Sequence, residues 1–203
     1  MRPHSREAIE VRRAALIEAA VASLSARGLG AASVRDTAAR AGVSPGLITH
    51  HFGSFAALLA EAYRHVAAEV DGRIEAALAA AGDDPERRLE AFLAASFQPS
   101  IVDRELLSAW LGFWGLVRRD TAAAAIHAET YGAYRARLEG LLTGLARVRP
   151  GGRVADARLG ALGLAAMLDG LWLELCLDPA TFTPAEAVRT IRAWVDGLLG
   201  PPA

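Results

Sequence analysis

The sequence predicts an all-α chain, with a short helix-turn-helix arrangement near its start and a series of longer helices after it. Three observations carry this. Ala and Leu account for 45 and 27 residues, against 12 Val and 7 Ile. Ala and Leu lose least on entering a helix, whereas β-branched residues lose χ1 freedom there. Apolar residues also recur at helical spacing along most of the chain, with no alternating strand pattern. Finally, Gly, Pro and N-capping residues break these stretches at intervals that suit helices.

Taken in order, Ile9, Arg13, Leu16, Ile17, Ala20, Val21 and Leu24 share helical spacing, and Gly28 ends that helix before a Gly/Ala loop. Ser33-Val34-Arg35-Asp36 resembles a capping box with Asp in place of Glu. The short helix it opens stops at Gly42. Ser44-Pro45 restarts a helix that ends near Gly53, since Pro suits the first helical position. Ser54 caps a long helix to about Ala81, and Gly82-Asp83-Asp84-Pro85 forms a linker. Further helices are expected near 86–97, 103–118, 121–146, 156–176 and 184–199. Gln98-Pro99-Ser100, Asp120-Thr121, Arg149-Pro150-Gly151-Gly152 and Asp178-Pro179 separate them.

Composition narrows the function classes. At 203 residues, with 53% hydrophobic and 22% charged residues, the chain can bury a core without staples, and disorder is excluded. The one cysteine, Cys176, excludes a disulfide framework and a cysteine zinc site. No signal-peptide core is seen in MRPHSREAIEVRR, and no charge-free apolar run reaches 18 residues. The expectation is a cytoplasmic protein with no membrane partner. All 22 basic residues are Arg. Residues 1–53 carry seven Arg and four acids, whereas the remainder carries fifteen Arg and nineteen acids. Only the N-terminal part has the charge to meet phosphates.

Two short helices joined by Ala41-Gly42-Val43-Ser44 fit either an αα-hairpin or a DNA-reading unit whose second helix enters the major groove. Gly42 supplies the left-handed turn, and Val43 can plug the corner. In the DNA-reading case, Ser44 and the N–H groups behind it meet a phosphate. Gly46 lets the backbone approach the duplex, and Thr49, His50 and His51 add polar groups. Ser33, Arg35 and Arg40 sit where the preceding helix meets the DNA backbone.

The run GAASVRDTAARAGVSPGLITHHF, ending at Phe52, resembles the DNA-binding domain of the tetracycline-repressor (TetR) family of bacterial regulators. The resemblance implies an all-α fold with a three-helix, helix-turn-helix DNA-binding domain (1–53) and a larger helical bundle that binds a ligand and dimerises (54–203). It places Ser33, Arg35, Ser44, Pro45, Gly46, Thr49, His50 and His51 toward DNA. Three departures stand out. Thr49 replaces a frequent Tyr, Thr37 replaces an aliphatic, and Gly53-Ser54-Phe55 lacks the usual Lys.

In the C-terminal part, Trp110 and Trp114 share a helix face with Phe113 close by, and Tyr131 and Tyr134 lie three apart. Trp172 follows Asp169 by three on an otherwise apolar helix, where an acid needs a partner. Singly, each could be ordinary core. Together, aromatic faces and a carboxylate make a box for a quaternary ammonium ion, which is held by ring quadrupoles and a counter-charge. LLSAWLGFWGLVRRD and LGLAAMLDGLWLEL resemble the choline-responsive, BetI-like branch of the family. That resemblance implies a regulator, expected to be a repressor, released by a choline-like effector. Glu174 stands where that branch often has Arg; it either strengthens a cation site or signals a different ligand such as a polyamine, and a hydrophobic or aromatic effector is a further alternative.

Leu159, Leu162, Ala166 and Leu171, then Val188, Ile191, Trp194, Val195 and Leu198, form a stripe that packs internally or against a second copy. The resemblance favours an isologous homodimer reading a near-palindromic operator. Neither an enzyme nor a metal site is expected. There is no Glu-x-x-His pair, Gly-rich phosphate loop or nucleophile elbow, and adjacent His50-His51 cannot meet one metal from a helix. No cofactor is expected either. A helical interaction module that ignores DNA is the remaining alternative.

Overall fold

The computed structural model describes residues 3–28, 32–149 and 156–199, with side chains from residue 9 onward and without that of Arg27. The loop residues at 29–31 and Pro150-Gly151-Gly152 lie outside the described residues. Among those described there are nine helices and no strand: α1 (Pro3–Arg27), α2 (Val34–Arg40), α3 (Pro45–Phe52), α4 (Phe55–Ala81), α5 (Pro85–Ser96), α6 (Arg104–Val117), α7 (Thr121–Val148), α8 (Ala157–Leu177) and α9 (Pro184–Leu199).

The helix starts follow from side chains that satisfy the orphan N–H groups of a first turn. Ser33 Oγ accepts from Asp36 N at 3.2 Å, Ser54 Oγ from Ala57 N at 3.0 Å, and Asp84 Oδ1 from Arg87 N at 2.9 Å. Asp120 and Asp156 do the same for α7 and α8. At α9, Thr183 and Glu186 form a reciprocal capping box, with Thr183 N donating to Glu186 Oε2 at 2.8 Å and Glu186 N to Thr183 Oγ1 at 3.2 Å. Ser44 has the extended backbone of an N-cap, yet its hydroxyl makes no capping bond to α3.

The chain divides into two compact units, Met1–Glu69 with Glu105–Glu129, and Val70–Arg104 with Thr130–Ala203. Helices α4 and α7 each contribute residues to both. The first unit has one continuous core. Leu16, Ala20 and Leu24 of α1, Ala38 of α2, Ile48 of α3, Leu58, Ala62 and Tyr63 of α4, and Ala109 and Phe113 of α6 are buried in it. Each large side chain so buried stabilises the unit by roughly 1.5–3 kcal/mol.

The second unit packs Leu89, Phe92 and Leu93 of α5 and Leu138 and Leu142 of α7 against Leu164, Leu168 and Leu175 of α8 and Ile191 and Val195 of α9. Buried Arg149 ties three of these helices. Its Nε donates to Glu86 Oε1 at 2.7 Å and its Nη1 pairs with Asp196 at 2.9 Å, while Arg192 also reaches Glu86 at 2.6 Å. These arginines hold the Glu86 carboxyl below its ordinary range, the hydrogen bond from Arg149 being the largest cause. Helix α8 is the one described helix with the length and composition to cross a membrane. Its buried face belongs to the core just described.

Candidate nucleic-acid interface and effector site

The turn between α2 and α3 is set by Gly42 at φ 65°, a conformation glycine takes at little cost. Val43 N donates to Ala38 O at 2.9 Å and Gly42 N to Ala39 O at 3.2 Å, so the carbonyls ending α2 are satisfied in a Schellman-like closure. Val43 packs against the first core, as the corner requires. Thr37 and Ala38 turn inward from α2, and Ile48 is the one fully buried residue of α3. Thr37 Oγ1 is buried without a hydrogen-bond partner, which costs free energy where an aliphatic would not.

Outward from this frame, Ser33, Arg35, Ser44, Pro45, Gly46, Thr49 and His50 are exposed and His51 is half-buried. Arg40 is engaged within the protein, its Nε donating to Asp36 Oδ2 at 2.9 Å. Asp36 also accepts from Ser23 Oγ of α1 at 2.7 Å, which anchors α2. His50 and His51 meet edge to face at 5.1 Å. Burial, then the charges of His50, Arg13 and Arg12, hold His51 below its ordinary pKa.

The seven candidate effector residues fall into two groups. Trp110, Phe113 and Trp114 belong to the first unit. Phe113 is fully buried and stacks on Tyr63 at 4.9 Å, while Trp110 meets Tyr63 edge-on at 5.4 Å. The Tyr63 hydroxyl bonds His127 Nδ1 at 2.8 Å. This pair, absent from the sequence reading, joins residues 64 apart, a distance that helical spacing cannot reveal.

Tyr131, Tyr134, Asp169 and Trp172 belong to the second unit. Asp169 accepts a long hydrogen bond from the Tyr131 hydroxyl at 3.4 Å. Among the described residues no arginine or histidine pairs with it. Burial raises its pKa to about 6, although the Tyr131 bond works in the opposite direction. Tyr134 stands 5.9 Å from Tyr131, ring to ring. Burial, then Asp169 and Tyr131, keep its hydroxyl protonated well above its ordinary range. Trp172 Nε1 donates to Ile101 O at 2.7 Å, which fixes the indole. Glu174 is exposed, and Cys176 is buried.

A two-helix reader braced by a third helix, with its polar face exposed, defines the helix-turn-helix class. Residues 16–62 match the family described as bacterial regulatory proteins, tetR family, and residues 85–200 match BetI-type transcriptional repressor, C-terminal. An HTH-type transcriptional regulator BetI from Burkholderia thailandensis is 34% identical over 195 residues, 96% of each chain. Its counterpart from Paraburkholderia phymatum is 34% identical over 191 residues, 94% of each chain. A Pseudomonas aeruginosa PAO1 protein described as a transcriptional regulator superposes with a TM-score of 0.86 at 48% identity, over 93% of this chain and 90% of that one. A protein from Saccharomonospora viridis, described as a regulator and solved in complex with choline, shares the fold at a TM-score of 0.79 and 21% identity, over 92% and 96%. The chain belongs to the TetR family of bacterial transcriptional regulators, in its BetI-type branch.

Proposed function

We propose that the chain is a cytoplasmic repressor that binds a near-palindromic operator as a homodimer and is released by a small cationic effector of the choline type. Residues 1–53 read DNA, with Ser33, Arg35, Ser44, Pro45, Gly46, Thr49, His50 and His51 facing the duplex. Residues 54–203 bind the effector and dimerise. The observation that carries the effector class is Asp169, a half-buried carboxylate beside Tyr131 and Tyr134 with no cationic partner among the described residues. Such a carboxylate is costly until a cation joins it. A quaternary ammonium ion offers that charge without N–H donors and gains further from aromatic faces, at about 0.5–2 kcal/mol per ring. A fold shared with a protein that holds choline is compatible with this.

A polyamine would need a second inward carboxylate, and Glu174 is exposed. The aromatics of α6 stay with the first unit, where Phe113 is core. Release is a population shift: choline must bind the form with low operator affinity more tightly than the DNA-bound form. Helix α4 carries residues of both units, at 55–69 and 70–81, and so provides a continuous covalent route.

Isothermal titration with choline at pH 7.5 tests the effector site. Saturable binding to the wild type that weakens at least tenfold in Asp169→Asn supports it. Equal affinity for both proteins, or no heat with either, rejects it.

A further inference from the structure

Helix α3 has eight residues, about two turns, and a helix of that length is marginal without tertiary support. Its one fully buried residue is Ile48, near the middle. Val43 at the preceding turn and Phe52 in the last turn are only half-buried against the same core, so the rod is held mainly at its centre and can still tilt. A tilt displaces Thr49 and His50 from the base edges they would face, so a second restraint is needed near the end of α3.

Arg13 of α1 supplies it. Its Nη1 donates to the carbonyl oxygen of His51, in the last turn of α3. That carbonyl is one of the four that a helix leaves without an intrahelical partner. The negative end of the helix dipole also favours a cation there. The Arg13 guanidinium lies over the Phe52 ring, 4.2 Å from its centroid. One planar group thus fixes the end of α3 by a hydrogen bond and by a ring face. Arg12, the adjacent residue, is exposed and makes neither contact.

We infer that Arg13 is a positioning residue for sequence recognition: it clamps the C-terminal end of α3 to α1 and so holds the reading side chains in register with the groove. It acts through α3 rather than by touching DNA. A bulky charge alone does not suffice, because an ammonium lacks the planar fork and stacking face of a guanidinium. This role rests on α3 being the reading helix.

The test uses the full-length chain. A duplex is enriched from a randomised 30-base-pair library by the wild type, and affinities for it and for a scrambled duplex are measured by fluorescence anisotropy over a range of salt. Arg13→Lys keeps the charge and is expected to lose at least tenfold in the ratio of specific to scrambled affinity, with its salt slope unchanged. Arg13→Met loses the ratio as well. Arg12→Met, which removes a charge one residue away, shifts both affinities together and leaves the ratio within twofold. If Arg13→Lys retains the wild-type ratio while Arg13→Met lowers both affinities and the salt slope by about one, Arg13 is a phosphate contact and the positioning role is overturned. Ratios within twofold of wild type in both Arg13 variants also overturn it. A wild type that enriches no sequence contradicts operator reading itself, and the role of Arg13 with it.

Discussion

At the scale of single residues, one buried and one half-buried polar group bear costs that substitution can recover. The Thr37 hydroxyl has no partner under α2. Thr37→Val keeps the shape and removes the unsatisfied group, so it is expected to stabilise the protein by about 1 kcal/mol, read as a raised thermal midpoint. Asp169 has a folded-state pKa of about 6 against an ordinary 3.8. Between those values the folded form holds a proton that the unfolded form has lost, so stability falls as pH rises through this window. Asp169→Asn is therefore expected to be more stable than wild type above pH 6, on the order of 1–2 kcal/mol, with the difference vanishing below pH 4. Urea unfolding at pH 4 and 7.5 checks it. The same ionisation sets the effector's pH dependence. Choline affinity should rise through about pH 6 and then level off.

At the scale of helices, packing decides where glycine is needed. A Cβ at Gly163 of α8 would lie 3.1 Å from Trp194 Cζ2 of α9, whereas one at Gly140 of α7 meets nothing within 4 Å. Gly140→Ala is expected to stabilise by about 0.5–1 kcal/mol through helix propensity. Gly163→Val is expected to cost about 1–3 kcal/mol by forcing Trp194 away, and circular-dichroism melts separate the two. Most helix limits were legible in the sequence because their causes are local. Gly28, Gly42 and Gly53 end helices at positive φ, while Ser33, Ser54, Asp84 and Asp156 cap their starts. The start of α1 at Pro3, earlier than the apolar spacing from Ile9 suggested, was not legible. Contacts over long separations were hidden for a physical reason. Tyr63 with His127, Arg149 with Glu86, and Arg13 with His51 are brought together only by folding, and no spacing rule reaches across 64, 63 or 38 residues. The division of the aromatic residues between two units was equally out of reach, because helical spacing reports which residues share a face but not which core that face joins.

At the scale of the whole molecule, the α8–α9 stripe separates into an inner and an outer part. Ile191 and Val195 are buried, whereas Leu159, Leu162 and Leu198 are 53%, 48% and 36% exposed. The outer set suits a second copy better than water. Leu159→Glu with Leu162→Glu is expected to give monomers by sedimentation, with operator affinity reduced at least tenfold because two linked readers become one. The central claim is that a cation binding in the C-terminal part releases DNA from the N-terminal part. Fluorescence anisotropy of the enriched duplex, titrated with choline at pH 7.5, tests it most directly. The account predicts that saturating choline weakens operator binding of the wild type at least tenfold and leaves Asp169→Asn bound. Unchanged wild-type affinity in the presence of bound choline would contradict it.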